Sequence, residues 1–178
     1  MRANANGFCA MLNVDGVMHL SASDLVGHVN CHYLIKLDLA VARGELDKPL
    51  RWDPVLEVLV ERGALHEQSY LDHLELSGLL ITRVDGIGVD ASAVEQTLDS
   101  MRRGVSIIAQ GALRAGRWGG RADVLRRVEK PTELGTWSYE VIDTKLARET
   151  KGNTVRRYAS IPICWQRLRS ALPNSRTL

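Results

Sequence analysis

The feature that most limits what this chain can fold into is a change of periodicity at Gly104. Before it, apolar residues recur mainly at helical spacing; after it they fall in three strand-length stretches, 105–113, 117–128 and 137–145. Turn-rich segments, Arg114-Ala115-Gly116 and Lys130 to Gly135, separate the three. Helices followed by neighbouring strands predict an α/β (α+β) domain, a mixed central sheet flanked by helices.

The first dozen residues show no periodicity. A short strand is expected over 14–20 with Asp15-Gly16 as a turn, then one helix from the caps Ser21 and Ser23 through Ala42, closed by Gly44. Asp53-Pro54 marks a second helix start, interrupted at Gly63. A further helix is expected from Ala64 to Ser77, with Leu65, His66, Tyr70, His73 and Leu74 on it and Gly78 after it. Leu79 to Val84 reads as a strand, and Asp90 or Ser92 caps a helix through Arg103.

With 178 residues and 45% hydrophobic content, the chain can bury one core. No run approaches the length of a membrane span, and the stretch Phe8 to Leu12 is too short for a signal peptide, so a cytoplasmic protein is expected. Cys9, Cys31 and Cys164 are few and far apart, as reduced thiols would be. Charge is segregated: residues 1–101 hold 7 Lys+Arg against 15 Asp+Glu, residues 102–178 hold 16 against 6. A basic half suits a phosphate-backbone binder, and equally a solvated face.

In the last two strands, Asp123 and Asp143 could converge across a hairpin, with Lys145 two residues beyond Asp143 and on the same side of an extended strand. Paired carboxylates suit Mg²⁺ or Mn²⁺, and a neighbouring amine could neutralise charge growing on a phosphate. Asp-x-Lys alone is common by chance. His28, Cys31 and His32 offer only three local donors, and read as core or surface residues rather than a zinc site.

Gly120-Arg121-Ala122-Asp123 and Tyr139-Glu140-Val141-Ile142-Asp143-Thr144-Lys145 together resemble the PD-(D/E)xK nuclease superfamily in its RecB-like branch. Ser21 to His28, Cys31, Asp38 to Ala40, Glu61-Arg62-Gly63 with His66-Glu67, and Asp143 to Ala147 resemble RecB-like nucleases often joined to helicase-like regions. The resemblance runs from about Asn13 to Val155. It implies a restriction-endonuclease-like core and metal-dependent hydrolysis of phosphodiester bonds in DNA, in repair or recombination. It assigns Asp123, Asp143 and Lys145 to catalysis, and His66, Asp123, Asp143 and the backbone carbonyl of Thr144 to Mg²⁺ or Mn²⁺. Arg117, Arg121 and Arg148 are the weaker nucleic-acid contacts. The late cysteine cluster of iron–sulfur relatives is missing, so no cluster is expected.

The family continues past the lysine into a helix bearing Gln-x-x-x-Tyr, which Arg156 onward does not resemble. Reading codons compatible with residues 156–166 from the third base permits Pro-Leu-Cys-Leu-Tyr-Ser-Asp-Leu-Leu-Ala, which does resemble it. The expectation is a nuclease domain over 1–155, incomplete at its C-terminal end, followed by an atypical, frameshifted and poorly ordered tail over 156–178. A catalytically inactive nucleic-acid-binding or interaction module is the alternative.

Overall fold

A computed structural model describes residues 11–14, 16–49 and 53–144. The expected tail, together with Lys145 and Arg148, lies outside the described residues. These residues form an α+β protein with a four-stranded mixed sheet flanked by helices. They divide into two compact units, one comprising residues up to 47 with 114–120, the other comprising 48–113 with 121–144.

In the first unit, β1 (Leu12–Val14) and β2 (Val17–His19) pair antiparallel with Val14 opposite Val17. The single strand expected over 14–20 is therefore a hairpin. Helix α1 (Ala22–Asn30) opens on a capping box: the Ser21 hydroxyl accepts from the Asp24 amide at 3.4 Å, while Asp24 Oδ2 accepts from the Ser21 amide at 2.7 Å. Asp24 also accepts from the Met11 amide at 3.1 Å, which accounts for a carboxylate buried at a helix start. The long helix expected through Ala42 is broken. Cys31 is extended, with φ −156°, and α2 (His32–Ala42) starts afresh after it without a side-chain cap. His28 and His32 stack with ring centroids 4.5 Å apart across that break. The Arg114 guanidinium lies 2.9 Å from the His19 ring, and Leu20 bridges to Trp118.

In the second unit, α3 (Pro54–Leu76) begins where Asp53-Pro54 predicts: the Asp53 side chain accepts from the Val55 and Leu56 amides. It then runs straight through Gly63, so the expected two helices are one. A single interior glycine costs about 1 kcal/mol against alanine, too little to end a helix of this length. Gly78, at φ +79°, turns the chain out of it. β3 (Ile81–Arg83) pairs parallel with β4 (Ile107–Ala115), α4 (Ala91–Arg102) making the crossover, and β5 (Trp118–Val128) returns beside β4 as a hairpin. β6 (Ser138–Ile142) closes the order β3-β4-β5-β6, antiparallel to β5, with Val124 opposite Ile142.

One face of the sheet meets α3: Leu71, Leu74, Ile107, Ala109 and Val124 form a buried cluster, with Tyr70, Leu79, Ile81 and Ile142 packed on it. Full burial of each leucine contributes about 1.5–3 kcal/mol. The other face meets α4, where Thr97 and Leu125 close over Gly111. A Cβ built on Gly111 would lie 2.6 Å from Leu125 Cδ1, so a larger residue here would force Leu125 to shift. No helix among the described residues is long and apolar enough to cross a membrane.

Candidate metal centre

The register that sets Val124 opposite Ile142 makes Asp123 and Asp143 the next residues toward the same end of the sheet. Their side chains share a hydrogen bond. Asp123 Oδ2 also accepts from the Thr144 amide at 2.9 Å and the Thr144 hydroxyl at 3.2 Å, which fixes the carboxylate's orientation. Burial pushes the Asp123 carboxyl up from 3.8 to about 6. The bond to Asp143 and the charges of Asp143 and Glu67 push the same way, and the Thr144 amide opposes them. Asp123 thus keeps its proton to higher pH than an ordinary carboxyl.

β6 ends at Ile142, and Asp143 and Thr144 are outside regular strand. Strand alternation therefore does not fix the direction of the Asp143 side chain, and Lys145, expected to project beside it, lies outside the described residues. Thr144 enters through its amide and hydroxyl, both directed at Asp123.

His66 is exposed, and among the described residues no three His, Cys, Asp or Glu side chains come close enough together to hold an ion. The same holds for His28, Cys31 and His32, whose cysteine is exposed. The face of α3 turned to the sheet carries Leu71 and Leu74, and Glu67 lies one turn before Leu71 on that stripe, whereas His66 is about 100° further round. Of the residues expected on this helix, Leu74 is buried in the cluster and Tyr70 packs against it, whereas His66 is exposed. Helical spacing counted back from Leu74 and Leu71 reaches Glu67.

A second residue that the sequence did not mark is Gln110. Its backbone is left-handed, at φ +55°, and its amide donates to Glu67 Oε1 at 2.7 Å. Strand alternation slips there by one: Ala109 packs on the α3 side, Gln110 reaches α3 as well, and Gly111 faces Thr97 of α4. A non-glycine residue held there costs on the order of 1–3 kcal/mol. Beside it, a groove of about 420 Å³ is lined by Glu61, Leu65, Glu67, Arg83 and Gln110 among others.

Among the described basic residues of this half, several bond within the fold. Arg121 donates to the carbonyls of Val84, Asp85 and Gly88, tying down the loop after β3. Arg127 lies 4.7 Å over the Trp137 ring and donates to Gly104, and Arg102 pairs with Asp99 at 2.9 Å. Arg117 is exposed at the turn between β4 and β5, and Arg126 is exposed on β5.

Comparison with family models, curated proteins and solved structures finds no match to this chain.

Proposed function

We propose that this protein is a metal-dependent nuclease that hydrolyses phosphodiester bonds in DNA at the Asp123–Asp143 pair, serving repair or recombination. The observation that carries the reading is the hydrogen-bonded carboxylate pair at the end of β5 and β6, with Asp123 raised to about 6 and anchored by Thr144. Its donors are all oxygen, the chemistry that Mg²⁺ and Mn²⁺ prefer. Asp123 and Asp143 would hold the ion, and the Thr144 carbonyl is the further oxygen that the family resemblance assigns to it. A divalent ion bound there supplies Lewis acidity and a water made acidic enough to attack phosphorus near neutral pH.

The chain's own residues do the rest. Asp123, though raised to about 6, is mostly ionised near pH 7, the state in which it would hold a cation. The Thr144 amide and hydroxyl keep Asp123 pointed at the site. Lys145, next in sequence, brings a cation to charge building up on the phosphate, and Arg117 and Arg148 serve as sequence-independent contacts to the backbone. Arg121, spent on carbonyls of the loop after β3, is a structural residue in this reading.

A second reading, a nucleic-acid-binding or interaction module without turnover, is favoured by the exposure of His66 and the lack of a third close ligand among the described residues. Cleavage assays on single- and double-stranded DNA with Mg²⁺ or Mn²⁺ separate the two. The nuclease reading expects Lys145→Ala to lower the rate by about 10²-fold or more, the scale of losing one transition-state charge contact. An unchanged rate in that variant contradicts the mechanism, and DNA binding without cleavage by the parent supports the second reading.

A further inference from the structure

Four polar residues sit one step past the α3-side core, all toward the same end of the sheet. Ala109 is followed by Gln110 on β4, Val124 is preceded by Asp123 on β5, Ile142 is followed by Asp143, and Leu71 is preceded by Glu67 one turn back on α3. Hydrogen bonds join them in two pairs, Gln110 with Glu67 and Asp123 with Asp143.

We infer that Gln110 is a positioning residue, held in its left-handed conformation so that its amide keeps Glu67 turned toward the Asp123–Asp143 end of the sheet, where Glu67 supplies the third negative charge of the cation site. The inference rests on the nuclease reading above and deepens it. A Gln in an ordinary strand conformation at this position would follow the alternation of Ala109 and Gly111 and point to the α4 face, away from Glu67. The slip turns it round. An amide is suited to the task because it can bond a carboxylate without neutralising it, whereas a lysine or arginine here would cancel the charge that a divalent ion needs. Glu67 need not ligate directly: Mg²⁺ keeps several of its waters, and a carboxylate held outside the inner ligands can accept from them.

The structural alternative is that Gln110 merely ties α3 to the sheet. Gln110→Gly distinguishes the two, because glycine adopts positive φ freely and leaves the bulge intact while removing the amide. Mn²⁺ affinity, read by titration calorimetry on the full chain, is expected to fall about tenfold in Gln110→Gly, the lower end of the effect of losing a partner that orients a metal-site residue, with the melting temperature unchanged or higher. Glu67→Gln should lower the affinity at least as much. Adding Gln110→Gly to Glu67→Gln should then change little more, because the first residue acts through the second. Three results overturn the inference: parent-like affinity in Gln110→Gly, a lowered melting temperature accompanying the loss, or full additivity in the double variant. A parent chain that binds no Mn²⁺ overturns the nuclease reading itself, a separate outcome from a parent that binds and a Gln110→Gly variant that binds equally well.

Discussion

Two helices cover the same sheet and do so in opposite ways. α4, with 12 residues, buries Ala93, Thr97, Ser100 and Met101, small or polar groups that let it approach closely. Thr97 donates to the Ala93 carbonyl and accepts from the Ala112 amide at 2.9 Å, so its hydroxyl is satisfied inside the interface. α3, with 23 residues, buries only Leu71 and Leu74, and its first half leaves Val55, Val58, Leu59 and Val60 at least half exposed. Glu67 and its partner Gln110 lie on the α3 side. A tightly packed face fixes the strands, and the loosely covered one leaves room for the groove beside Glu67 and Gln110. Rigidity and access are divided between the two faces.

The comparison breaks most sharply at Gly111. Gly111→Ala puts a methyl against Leu125, which is fully buried and would have to shift within packed surroundings, so a loss of about 1–3 kcal/mol is expected from chemical denaturation. A neutral result would mean that the α4 face is looser than its contacts imply.

Asp123 gives the next effect, and its sign follows from the raised value. A carboxyl whose folded value lies above its unfolded one contributes stability below about pH 4 and loses it as pH rises through about 6. The metal-free protein should therefore melt higher at pH 5 than at pH 7.5. Asp123→Asn should flatten that difference and raise stability at pH 7.5 by on the order of 1 kcal/mol, discounted for partial solvent access, while removing metal binding. An unaltered pH profile in Asp123→Asn would place the strained carboxyl elsewhere.

The smallest effect belongs to the exposed half of α3. Leu59, 54% exposed, should tolerate Leu59→Gln within about 0.5 kcal/mol. A larger loss would show that this face is covered in solution, and the contrast between the helices would have to be redrawn.

Much of this division could be read from the residues. The three strands after Gly104 were bounded by turns, Asp53-Pro54 and Asp90 capped helices as expected, and the hairpin order placed Asp123 beside Asp143. What was hidden has physical reasons. The break at Cys31 has no glycine or proline to announce it. Gly63 does not end α3 because its small propensity cost is outweighed by the helical residues on either side. His66 and Glu67 are adjacent in sequence but about 100° apart on the helix, so only the tertiary packing of Leu71 and Leu74 shows that Glu67 lies on the stripe facing the sheet. The slip at Gln110 has no local signal, since its bond to Glu67 spans 43 residues. That Arg121 and Arg127 bond to backbone carbonyls within the fold also has no local signal, because their partners lie 23 to 37 residues away.

The central claim is that Asp123 and Asp143 together hold a divalent cation, and calorimetric titration of Mn²⁺ into the full chain near pH 6, repeated in buffers of different ionisation enthalpy, tests it most directly. The account predicts binding accompanied by release of part of a proton from Asp123, with both binding and release lost in Asp143→Asn. Binding of undiminished strength in Asp143→Asn, or no binding by the parent, would contradict it.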